Sequence, residues 1–230
     1  ATLHDLEVDH LEVPGKFWHI RYPFLDSEGR EKPDCMVIAT TRPETIPADI
    51  AIAVHPNDDR WKNVIGQTVS LPLPGITRTL PILGDASVDP EVGTGALKIT
   101  PGHDPLDFEI GERHELDAIR AIDWDGTMTA AAGPYEGLDR KMARDRAVAD
   151  LDEGGYLLKT EDHPHSVGHC QRCRTTVEPL VSNQWFVDVS EMAERAASVV
   201  QNSEVRIVPK RFEKVYLQWM ADIRPWCVSR

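Results

Sequence analysis

From Phe17 to Thr100 the apolar residues come in short runs, several of them alternating with polar residues, and the runs are cut repeatedly by Pro, Gly, Asn and Asp. "FWHIRYPFL" from Phe17 alternates, "CMVIATT" from Cys35 and "DIAIAVHP" from Asp49 are brief apolar stretches, and "GQTVSLPL" from Gly66, "TRTLPIL" from Thr77 and "GALKIT" from Gly95 follow at close intervals. A period of two marks a half-buried strand. Many short strands in a chain with 17 Pro and 15 Gly predict a sandwich or a closed barrel. The expected fold is mainly β, closed-barrel-like, with peripheral helices.

The helices are expected where capping chemistry appears. Asp104 precedes Pro105, with Asp107 at the third helical position, which suits a helix start running to about His114. A second helix covers Asp139 to Glu153 and stops at Gly154-Gly155, where glycine can take the left-handed cap. A third begins at Ser190. The fourth, Pro209 to Ile223, carries Phe212, Val215, Tyr216, Trp219, Met220 and Ile223 as one broad apolar stripe, expected to pack on a core. A shift near residues 180 to 190, from turn-rich to helical and basic, divides a domain at 1–180 from a helical segment at 181–230.

Charge and cysteine content narrow the function classes. The net charge of −13 argues against a surface that binds nucleic acid all over, because phosphate attracts Lys and Arg. The region 205–230 is different: Arg206, Lys210, Arg211, Lys214, Arg224 and Arg230 face only Glu213 and Asp222. Contact with nucleic acid would be confined to such an end, and a solvated helix face is the alternative. No run approaches the ~20 apolar residues of a membrane span, and residues 1–10 lack a signal pattern. Two lone cysteines, Cys35 and Cys227, and one C-x-x-C pair, Cys170 and Cys173, make no disulfide framework, so a cytoplasmic protein is expected.

Three clusters could carry chemistry. "ATTRPET" (39–45) sets the hydroxyls of Thr40, Thr41 and Thr45 beside the donor fork of Arg42, at a strand exit stiffened by Pro43; it reads as a binding loop or as a polar turn. "GTGALKITPGHDPLDFE" (93–109) places Lys98 and Thr100 on one face of a strand, then collects His103, Asp104 and Asp107 at a helix start. Capping alone could explain Asp104 and Asp107, yet two acids near a lysine exceed what capping needs. The cluster reads as a polar pocket. The third, "HPHSVGHCQRC" (163–173), supplies Cys170 and Cys173 as half of a four-ligand zinc site, with His163, His165 and His169 at non-standard spacing.

Taken in order, "TTRPET", "ADIAIAVHP", "GTGALKITPGHDPLDFEIGERH", "GLDR", "HSVGHCQRC", "VEPLVSNQWF" and "RFEKVYLQWMADIRPWCVSR" resemble the inserted editing (CP1) region of the class I aminoacyl-tRNA synthetases, in its valine-specific branch. The resemblance runs from about Asp5 to Arg230. No HIGH-like or KMSKS-like signature is present, so the chain resembles an excised fragment without the amino-acid-activating site, its upstream C-x-x-C missing.

The resemblance implies a hydrolase for the aminoacyl ester of threonine mischarged on valine tRNA. Its partners would be the acceptor end of that tRNA and the rest of the synthetase chain, and editing itself would need no cofactor. It implies an editing domain over 1–180, with half a zinc ribbon at 163–178, and a return segment over 181–230 toward the catalytic domain. By the same resemblance Asp107 holds the substrate's α-ammonium, and Lys98, Thr100 and Asp104 form the wall that senses the hydroxyl. Arg42, with Thr40, Thr41, Thr45 and His103, binds substrate, Arg42 lying near the terminal nucleotide or organising the acids. Asp104 and His103 are candidate bases. Zn2+ is expected, if at all, on Cys170 and Cys173. Two rival readings are a non-catalytic RNA-binding or zinc-ribbon module, and a metallohydrolase built on His103, Asp104 and Asp107.

Overall fold

The computed structural model describes residues 7–229. Its strands are β1 (Val8–Val13), β2 (Lys16–Leu25), β3 (Glu31–Thr40), β4 (Ala51–Val54), β5 (Thr68–Ser70), β6 (Thr79–Gly84), β7 (Ala96–Ile99), β8 (Leu157–Asp162), β9 (His165–Cys170), β10 (Phe186–Val187) and β11 (Trp226–Cys227). Its α-helices are α1 (Pro105–Arg113), α2 (Arg140–Glu153), α3 (Ser190–Gln201) and α4 (Glu213–Ala221). The chain forms two compact units, one of residues 9–169 and 173–181, the other of 182–229 with the short pieces 7–8 and 170–172.

In the larger unit one sheet runs β3-β2-β5-β6-β4-β7, with β8 also paired to β2. All pairs are antiparallel except β4 with β6. The alternation in "FWHIRYPFL" places Ile20, Tyr22 and Phe24 inside, and β3 adds Met36 and Ile38 from across the ladder. Ile52, Val54, Leu80 and Ile82 complete the interior. β4 is buried on both faces because its other side, Ala51 and Ala53, meets Ile99 of β7 and Ile110 of α1. A strand covered twice reads as a continuous apolar run, as "AIAV" does.

The sheet curls but does not close. β3 and β7 approach each other without pairing, so the expected closed barrel is corrected to an open, half-barrel sheet. The reason lies in the "VGTG" turn. Gly93 and Gly95 take φ of 59° and 73°, and the point where a Cβ of Gly93 would stand is 3.5 Å from the Ala39 Cβ. Left-handed backbone cannot continue a ladder, so a glycine turn lies beside β3 where a closing strand would be.

The helix starts and stops follow the expected chemistry. Asp104 caps α1 by accepting from Leu106 N and Asp107 N, with Pro105 at the first position. Asp139 caps α2 through Lys141 N, and Gly155 takes φ +74° beyond its end. Ala143, Ala147 and Leu151 of α2, at spacing four, face the core.

The apolar stripe of the fourth helix is a correction. Residues 210–212 are a 3-10 turn and α4 begins at Glu213. Phe212, Val215 and Trp219 are exposed, Trp219 at 65%, while Tyr216, Met220 and Ile223 are half-buried. α4 packs beside α3, where the Tyr216 hydroxyl donates to Ala196 O at 3.2 Å. One neighbouring helix is narrower than the stripe. Among the described residues no helix is long and apolar enough to cross a membrane.

Candidate active site

A cavity of about 340 Å3 opens at the unpaired seam between β3 and β7. Thr40, Thr41, Arg42, Thr45, Lys98, Thr100, His103, Asp104 and Asp107 all line it, with Phe17, Val92 and Gly93 among the other walls. The fold brings them together in two steps. β3 ends at Thr40 and passes into a buried 3-10 turn, Pro43–Ala48, while β7 delivers Lys98 opposite Ile52 of β4 and Thr100 follows directly after the strand.

An ammonium on the inside of a β-sheet must spend all its protons. Lys98 Nζ donates to Thr45 Oγ1 at 2.9 Å, Asp49 Oδ1 at 2.9 Å and Thr100 Oγ1 at 2.5 Å. Asp49 is fully buried. It also accepts from Thr100 Oγ1 at 2.7 Å and from the Tyr22 hydroxyl at 2.8 Å. Burial pushes the Asp49 carboxyl up, against the pull of Lys98, and burial together with Asp49 pushes the Tyr22 phenol up. Lys98 therefore holds the wall in place, its three donors directed at side chains of the protein.

Asp107 sits at the first turn of α1, 5% exposed, and its Oδ2 accepts from Thr100 N at 2.8 Å. Burial raises its pKa to about 7, against the pull of Lys98 and helped by the charge of Asp104. A cation entering the cavity would restore the carboxylate. Asp104 is exposed at the mouth, its Oδ1 engaged in the cap.

Arg42 organises acids. Its Nη1 donates to His103 O at 3.0 Å, Nη2 bonds to Glu178, and Nε lies 3.5 Å from Glu44. Glu178 is shared with Arg140 at 2.8 Å. Glu44, 1% exposed, is clamped by Arg144 at 2.7 and 2.6 Å. Burial works against its charge, yet the Arg144 bonds hold its carboxyl below the usual range.

His103 is almost fully buried, and its Nε2 accepts from Ala121 N at 2.8 Å and Ile122 N at 3.3 Å. Backbone N–H groups only donate, so the proton is on Nδ1, which points toward Glu178 at 3.9 Å. Burial, then the charges of Arg42 and Lys98, lower its pKa to about 4. His103 is a neutral tie between the helix-start loop and residues 121–122, with its basic nitrogen already engaged.

Cys170 ends β9 and is half-buried, and Cys173 is exposed, 3.3 Å from Thr175 Oγ1. Nδ1 of His165 and of His169 each bonds to a backbone carbonyl. Among the described residues no group of three or more His, Cys, Asp or Glu is placed to hold a metal. Two thiols are half of the four ligands of a structural zinc, and among the described residues no third His, Cys, Asp or Glu joins them. His103, Asp104 and Asp107 are not grouped to hold a metal either, and Nε2 of His103 is taken by Ala121 N and Ile122 N.

Sequence reasoning missed Tyr22, Glu44, Asp49, Arg140, Arg144 and Glu178. For Asp49 a signal existed: an acid at the entry to an apolar strand, in a chain that also puts a lysine inside a strand. Glu178 lies 136 residues from Arg42, beyond any local pattern.

The comparisons with known proteins bear on the same residues. Residues 1–230 match the family model described as tRNA synthetases class I (I, L, M and V). The chain is 49% identical over 230 residues to the valine–tRNA ligase of Thermotoga maritima, 52% over 230 to that of Solibacter usitatus and 51% over 231 to that of Geobacillus kaustophilus. In each case the match takes in 100% of this chain and 26% of the relative, so the chain spans about a quarter of the length of these curated relatives. With a family match over its whole length and relatives about half identical to it throughout, the chain belongs to the class I tRNA synthetases.

Proposed function

We propose that this chain is the editing region of a valine-specific synthetase and hydrolyses the ester joining threonine to the end of valine tRNA. The observation that carries the reading is the cavity itself: Thr45, Lys98, Thr100 and Asp107 share one interior wall, and the sheet is left open beside it. An apolar synthetic pocket cannot strongly reject an isostere that adds a hydroxyl, so a second, polar site is needed to remove threonine. Valine in such a site leaves buried polar groups unpaired.

In the reaction, water adds to the ester carbonyl, the carbon–oxygen bond to the ribose breaks, and threonine and the free tRNA terminus leave. The Asp107 carboxylate takes the α-ammonium, which fixes the carbonyl relative to the wall. In this reading Asp104, exposed at the mouth, orients the water. Orientation and fixed dipoles supply the rate. The partners of the reading are the acceptor end of the tRNA and the rest of the synthetase.

The test is release of threonine from threonyl-tRNA(Val) by this chain and by Asp107→Ala. The parent chain is expected to release it about a hundredfold faster, the loss typical of a removed electrostatic anchor. Equal rates would remove Asp107 from the site. No release by either protein would overturn the reading.

A further inference from the structure

The hydrogen bonds inside the cavity wall have a direction. A threonine hydroxyl has one proton and two lone pairs. Thr100 spends its proton on Asp49 Oδ1 at 2.7 Å, and Thr45 spends its proton on Arg42 O at 2.9 Å. Each then uses one lone pair to accept from Lys98, whose third proton goes to Asp49. Asp49, with no solvent-exposed surface, is where this chain of donors ends, and Tyr22 steadies its other oxygen. What Thr45 and Thr100 have left for the cavity is a lone pair each.

We propose that Asp49 is a specificity-determining positioning residue: as the buried acceptor for Lys98 and Thr100 it turns the wall's protons inward, so the wall offers acceptors and selects an ester whose side chain donates a hydrogen bond. This rests on the editing reading of the cavity and deepens it. Threonine is then chosen because its hydroxyl can give a proton, and an equally shaped group that can only accept is treated like valine. An acceptor facing acceptors gains nothing and loses its hydration.

The experiment compares three esters on the same tRNA: threonyl, valyl and 3-fluoro-2-aminobutyryl, in which fluorine replaces the hydroxyl and cannot donate. Each rate is divided by the uncatalysed hydrolysis of that ester, which removes the inductive effect of fluorine. The expected result is a kcat/KM for threonine at least about tenfold above the other two, with the fluoro ester within a few-fold of the valyl ester. A fluoro ester processed like the threonyl ester would overturn the assignment, because the wall would then be donating. This comparison needs no variant. In Asp49→Asn, which keeps the shape and removes the charge, the threonine-to-valine ratio is expected to fall about tenfold or more, the worth of one hydrogen bond to a charged group. Equal losses on both esters would reduce Asp49 to a structural role. Failure of the parent chain to hydrolyse any ester would instead defeat the editing reading, a distinct outcome.

Discussion

At the scale of single residues, Asp107 and His103 are perturbed in opposite senses by the same burial. Asp107 titrates near 7 in the folded chain against an ordinary 3.8, so between those values the folded state holds a proton that the unfolded state has lost. Its contribution to stability is complete below 3.8 and is lost as pH rises through 7. His103 titrates near 4 against 6.5; here the unfolded state holds the extra proton, and stability is lost as pH falls from 6.5 toward 4. The two offset each other over most of that window. Asp107→Asn removes the first alone, so its stability should fall more steeply than the parent's on acidification from pH 6.5 to 4, by an extra 2–4 kcal/mol or so. Urea unfolding at several pH values reads this, and parallel curves for the two proteins would contradict it.

At the scale of elements, α2 is fixed to the turn behind the cavity by the Glu44–Arg144 pair as well as by its small residues. Glu44 is 1% exposed. Arg144→Met leaves that carboxylate a backbone hydrogen bond and the 3.5 Å approach of Arg42 Nε but no close cation, at a cost of about 3–5 kcal/mol. Removing both charges, with Glu44→Leu added, should cost less than the single change, because no buried charge is then orphaned. A double variant less stable than Arg144→Met would contradict this. The elements themselves were largely legible in the sequence. Alternation located β2, and capping residues located α1 and α2, because those signals are local. β8 escaped because five of its six residues are exposed and carry no apolar rhythm. The cavity-lining residues were legible through two motifs and a family resemblance. Their supports were not, since Asp49, Glu44 and Glu178 pair with residues 49, 100 and 136 positions away. The stripe on α4 misled for the complementary reason: periodicity shows that a face is apolar and does not say how much of it a neighbour covers.

At the scale of the whole molecule, the cavity of the larger unit opens where β3 and β7 approach each other without pairing. The interior from Ile20 to Ile82 is sealed by ladders, whereas the Lys98–Asp49 pair lies behind the gap between β3 and β7. Gly93→Ala forces a side chain onto φ +59° and should cost about 1–2 kcal/mol, leaving the ladders intact. A thermal melt checks it, and an unchanged midpoint would mean the turn relaxes freely. Gly93 and Gly95 give one side of this opening a stretch of wall without side chains, next to Val92. Stiffening it should slow arrival and departure of an occupant to the same degree, altering residence time while the equilibrium choice between occupants stays where the wall sets it.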